Sequence, residues 1–190
     1  MSDAFVKWCR RGTTDRQFLE RAEKFAAAGI SLTHPGRRVA VLLDVDGNDV
    51  AMSPEEVASL VGRRVGRSLT LEWWFTPDVD LTCTYTFVPG AREVQTYYLD
   101  GLSPAEVTVV RELLVNLFFE DVTASQWLVA DTTGLSADFD WDDYLLYGAG
   151  SPSTSPDLVL VNSATSSVPV DLPSASRRRD LDGGVVEFAK

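Results

Sequence analysis

The chain has 190 residues, 45% hydrophobic and 24% charged, with 17 Lys/Arg against 28 Asp/Glu and a net charge of −11. That is the composition of one globular domain long enough to bury a core, and a field of this sign opposes binding to nucleic acid or to anionic membrane. No apolar run reaches the ~20 residues of a membrane helix, MSDAFVKWCRRGTTD lacks a signal peptide's apolar stretch, and two cysteines, Cys9 and Cys83, fit a reducing compartment, so a cytoplasmic location is expected.

In chain order, Thr14 and Gln17 form a capping box. Phe18, Ala22, Phe25 and Ala26 then share a helical face, and Gly29 ends the helix. Residues 31–38, with Pro35-Gly36, read as loop, and 39–45 as a buried apolar strand. Ser53-Pro54-Glu55-Glu56 opens a second helix carrying Val57, Leu60 and Val61.

The middle alternates with period two. Leu69, Leu71, Trp73 and Phe75 face inward against Thr70, Glu72 and Thr76, and Leu81, Cys83, Tyr85 and Phe87 repeat the pattern. With a third strand at 93–99 this makes an antiparallel meander. Ser103 and Glu106 cap a third helix whose Val107, Val110, Leu114, Leu117 and Phe118 are expected to cover the meander, and 126–130 reads as a further strand. The fold class expected is α+β, an antiparallel β-meander sheet packed against helices, in a single domain over residues 1–147. From Gly148 the chain becomes Ser/Pro-rich, and 148–190 reads as a flexible tail in which 158–161 adds an edge strand.

Charge is unevenly spread. Residues 1–70 hold 11 basic against 9 acidic side chains, and 71–190 hold 6 against 19. Glu112 to Asp171 contains ten acidic residues and no Lys or Arg. Such a surface attracts basic partners. DFDWDDY gathers Asp138, Asp140, Asp142 and Asp143 about Trp141, the aromatic–acidic mixture of a protein-binding loop. Trp73 and Trp74 must point to opposite faces of one strand, so Trp74 stands on the polar side as a further contact residue.

VLLDVDGNDVAMSPEE admits three readings. It resembles a calcium-binding EF-hand loop, which implies Asp44, Asp46, Asn48 and Glu55 as ligands. However, Asp49 stands where that loop needs Gly, and a strand precedes it instead of a helix. An apolar strand ending in Asp-x-Asp-Gly also resembles the nucleophile motif of haloacid dehalogenase-type phosphatases. That implies Asp44 as nucleophile and Asp46 as acid/base with magnesium, yet the downstream Lys of that family is missing. Turn chemistry at Asp46-Gly47-Asn48 between two hairpin strands needs no missing parts, and it is the reading expected.

His34, the single histidine, precludes a familiar zinc site, and no phosphate-cradling Gly-rich loop with Lys is present. The expectation is a non-enzymatic protein without a cofactor that binds another protein with a basic surface. In size, charge and lack of catalytic groups it resembles immunity or antitoxin proteins. The alternatives are a calcium- or magnesium-dependent protein centred on Asp44 and Asp46, and a structural subunit of a larger assembly.

Overall fold

Three helices begin where their caps predict. The Thr14 hydroxyl accepts from Gln17 N while the Gln17 side chain accepts from Thr14 N, and Ser53/Glu56 and Ser103/Glu106 repeat the exchange. These caps open α1 (Asp15–Ala27), α2 (Pro54–Arg63) and α3 (Pro104–Glu120) of the computed structural model, which describes residues 3–166, 172 and 177–190. A short fourth helix, α4, covers Trp141–Tyr147.

The strands are β1 (Phe5–Arg11), β2 (Ala40–Leu43), β3 (Asp49–Met52), β4 (Ser68–Thr76), β5 (Val79–Val88) and β6 (Arg92–Tyr98). They continue with β7 (Ser125–Asp131), β8 (Leu158–Asn162), β9 (Arg177–Leu181) and β10 (Val185–Ala189). All join one 10-stranded antiparallel sheet in the order β3-β2-β4-β5-β6-β1-β7-β8-β10-β9. The α+β class and the meander β4–β5–β6 are as the alternation predicts.

The inward residues of the meander meet α1. Phe25 stacks on Trp73 at 4.4 Å and lies 5.9 Å from Tyr97, while Phe18 reaches Trp73 at 5.9 Å and Tyr85 at 6.1 Å. Aromatic pairs at these separations add to the burial of their area. The third helix packs on β1 and β7 instead of over the meander. Burial pushes the Cys9 thiol up to about 12 and raises that of Cys83 as well, so both cysteines are packed as core residues.

Beside this core lies a buried ionic cluster. Arg10 is fully buried; its Nη1 donates to Thr13 Oγ1 at 2.8 Å and its Nη2 to Asp121. Glu93, also fully buried, accepts from Thr13 N at 2.9 Å, from the Thr13 hydroxyl and from Gln95 Nε2 at 2.7 Å. Arg21 closes the cluster through Thr13 Oγ1 at 3.1 Å and Gln95 Oε1 at 3.2 Å. Arg10 and Arg21 both lie over the Trp8 ring, at 5.1 and 4.9 Å. Charges can stay inside because each has a partner; removal of one partner from such a cluster costs about 3–5 kcal/mol.

Three parts of the sheet were not fully read from the sequence. Phe5–Arg11 is a strand although three of its seven residues are basic. Residues 158–162 form a strand, but β8 pairs with β7 on one side and β10 on the other, so it is no edge. Residues 177–189 add β9 and β10 where a flexible tail was expected, while 167–171 and 173–176 of that tail lie outside the described residues. Pairing to distant chain, invisible in local periodicity, selects β1, β8 and β10, and β9 joins the sheet edge as a hairpin on β10.

Close approach also fixes how α2 meets α1. A Cβ on Gly62 would stand 1.7 Å from Asp15 Oδ1 and 2.9 Å from Asp15 N. Gly→Ala inside a helix ordinarily gains up to about 1 kcal/mol from propensity. Here Gly62→Ala should instead destabilise by roughly 1–3 kcal/mol through overpacking. Denaturant unfolding checks the sign; a more stable variant would contradict this packing.

Candidate partner-binding cleft

The acidic segment is organised by one buried carboxylate. Asp131, at the end of β7, is fully buried and accepts from the backbone N–H of Thr133 (3.1 Å), Gly134 (2.9 Å) and Ser136 (2.6 Å). The hydroxyls of Thr133 (2.8 Å) and Ser136 (2.6 Å) donate to it as well. Burial alone would raise its pKa, but the donors of Ser136 and Thr133 outweigh burial and hold it below the usual carboxylate range. Gly134 lets the turn lie against the start of β1: its φ is 69°, and a Cβ there would stand 2.8 Å from Asp3 N.

That turn delivers Trp141. Its indole Nε1 donates to Ser136 O and Ser136 Oγ, both at 3.2 Å, and its ring is 0% exposed among Phe5, Cys9, Val94, Trp127 and Val129. Asp140 caps α4 by accepting from Asp143 N at 2.9 Å, and Asp142 pairs with Lys7 Nζ at 2.9 Å. The expected contact set therefore divides. Asp138, Asp140 and Asp143 are exposed, Asp142 is held by Lys7, and Trp141 is core. Trp141 is buried as part of the apolar cover over the second face of β1, β6 and β7.

Where α4 meets the sheet, a cleft of about 290 Å³ opens. Its floor is two cross-strand pairs, Phe5–Tyr98 and Lys7–Thr96, and its wall is Ala137, Phe139 and Trp141. Asp3 and Asp100 line its rim. Tyr98 is 43% exposed, and Phe139 sits edge-on to Trp141 at 5.0 Å. Among the described residues Asp3, Asp100, Asp138, Asp140 and Asp143 have no basic partner. Sequence reasoning missed Asp3, Tyr98 and Asp100, because only the β1–β6 register brings them to the acidic loop.

The same face continues across β6 and β5 to β4, carrying Thr96, Thr84 and Thr82, then Asp80, Thr70, Glu72 and Trp74. Glu72 is pushed up to about 7, first by burial, then by Asp80 and Asp49, with Arg37 opposing. Trp74 is not a free contact: His34 covers it edge-on at 4.4 Å, and Ser31 bonds its backbone through N–H groups at 2.7 and 2.8 Å. Two strands, β5 and β6, separate it from β1 and the cleft.

The proposed metal ligands do not converge. Asp44 Oδ1 accepts from Asp46 N (2.9 Å) and Asn48 N (2.8 Å), and the Asn48 side chain adds bonds at 3.1 and 3.2 Å. Bonds from Asn48 hold the Asp44 carboxyl below its usual range. With Gly47 at φ 81°, this is an Asp-stabilised turn of the β2–β3 hairpin. Glu55 lies in α2, beyond the four residues of β3, roughly 13 Å of strand away from the turn. Among the described residues no group of three or more His, Cys, Asp and Glu is placed to hold a metal.

Asp131→Asn should lower stability by about 2–3 kcal/mol at pH 7, since an amide cannot accept from all five donors. The native carboxylate's contribution is full above its unfolded pKa of ~3.9 and is lost as pH falls through the lower folded value. The difference between native and variant in urea should therefore shrink below about pH 4; a constant difference from pH 7 to pH 3 would contradict it. Compared with protein-family models, with curated proteins and with solved structures, the chain matches none.

Proposed function

We propose that the protein acts by binding a basic segment of another protein in the cleft between α4 and the β1–β6 pair. The observation that carries this reading is the imbalance of charge around an aromatic-lined hollow. Lys7, the cation of the lining, is already neutralised by Asp142, whereas Asp3, Asp100, Asp138 and Asp140 have no basic partner among the described residues. A Lys or Arg side chain can lay its stem on Phe139 and Tyr98 and set its charged head between Asp3 and Asp100. Along the same face Asp80 adds negative charge towards which such a segment would extend.

Chemistry of this kind gives fast, salt-sensitive association and selects against acidic partners. It suits a protein that neutralises a basic partner by covering it, as the likeness to immunity proteins implies. No catalytic step is needed for that role.

Fluorescence anisotropy with a labelled Arg/Lys-rich peptide tests it. The double variant Asp100→Lys/Asp138→Lys replaces exposed side chains, so folding should be intact. It should weaken binding at least tenfold, about 1.4 kcal/mol. A control of equal charge change on α1, Glu20→Lys/Glu23→Lys, should weaken it far less. Equal losses in the two variants would mean that bulk charge alone attracts the peptide, and the cleft reading would fail.

A further inference from the structure

The far end of β1 carries the opposite charge. Arg11 pairs directly across the ladder with Arg92 of β6, and like charges placed opposite each other oppose sheet formation. Arg64, in the left-handed position after α2 at φ 54°, joins them. Its Nη2 donates to Val88 O at 3.1 Å and to Arg92 O, and its guanidinium lies 5.3 Å from the Phe87 ring centre. The three arginines line one cleft of about 370 Å³ together with Gly12, Gly62 and Gly90.

Elsewhere Lys7, Arg10, Arg37 and Lys190 each meet a carboxylate. Arg11, Arg64 and Arg92 meet none among the described residues, in a chain of net charge −11. Glycine keeps the cleft open: a Cβ on Gly12 would stand 3.0 Å from Arg64 Nη1 and 3.3 Å from Ala91 O. Asp15 lies against Gly62 at the cleft's edge.

We propose that this cleft binds a phosphate-type oxyanion, gripped by the guanidinium groups of Arg11 and Arg92 with Arg64 behind them. Arg92 Nε donates to Pro89 O at 3.1 Å, which fixes the side chain and leaves its terminal nitrogens for a ligand. Arg11 is exposed at the strand end. Guanidinium forks match the paired oxygens of a phosphate, and a bound anion removes the repulsion across the ladder. Three cationic side chains line the cleft, and among the described residues its lining includes no carboxylate, which favours a dianionic phosphate monoester over a monoanion. The rest of the cleft has room for the group that carries the phosphate. By strand rise the site is about 20 Å from the acidic cleft, so the two can be tested separately.

The full chain is melted with increasing sodium phosphate and with sodium chloride at matched ionic strength, and phosphate binding is followed by phosphorus NMR. Phosphate should raise Tm saturably where chloride does not. Arg11→Gln should weaken phosphate binding at least tenfold, while Arg177→Gln on β9 leaves it unchanged. Without phosphate, Arg11→Gln should melt no lower than the native chain, because the cross-strand repulsion is gone. Glycerol phosphate and a phosphoserine peptide then distinguish a small ester from a phosphorylated chain as the source of the group. Absence of a saturable response, or an equal response in Arg11→Gln, would overturn the proposal.

Discussion

Strand β1 bonds to β6 along one edge and to β7 along the other, and each of its faces lies beneath a different layer. Val6 and Trp8 belong to the core shared with the helices, while Phe5 and Cys9 belong to the smaller core closed by Trp141 and Tyr144. The middle of such a strand is covered on both faces, so the charges of Lys7 and Arg10 need partners there. Lys7 is answered by Asp142 and Arg10 by Asp121 and the Thr13–Glu93 cluster. Arg11, at the strand's end, meets no carboxylate among the described residues and faces Arg92. The two clefts of interest are thus the two ends of the same strand.

Much of the chain from Thr14 to Glu120 was legible because its signals are local. Three capping boxes fix three helix starts, Gly47 and Asp44 fix the hairpin turn, and the Thr/apolar alternation fixes the meander. A cap or turn is decided by side chains within a few residues, so sequence order contains the whole interaction. The turn also shows how one stretch can carry two local signals. Asp44, Asp46 and Asn48 have the spacing of a metal loop, and in the structure Asp44 accepts from the backbone N–H groups of the hairpin turn while β3 leads on to Glu55.

What stayed hidden depends on pairing between distant residues. No local pattern marked FVKWCRR as a strand, and two of its three basic residues find their partners far away in sequence, Lys7 at Asp142 and Arg10 at Asp121. LVLVN looks like an edge strand but is buried on both faces. The acidic flanks of Trp141 disguise a core residue, since the charges point to water while the ring fills the space above Phe5 and Trp127. The candidate cleft combines three chain segments, 3–7, 96–100 and 137–141, so no single stretch could announce it.

Backbone NMR of the full chain titrated with an Arg/Lys-rich peptide reads whether the negative charge forms a shaped binding site. A site predicts shift changes clustered at Phe5, Lys7, Thr96, Tyr98 and Phe139, all lining the cleft. Changes spread evenly over acidic positions on other faces, such as Glu20 and Glu23 of α1, would show only diffuse attraction and contradict a shaped site.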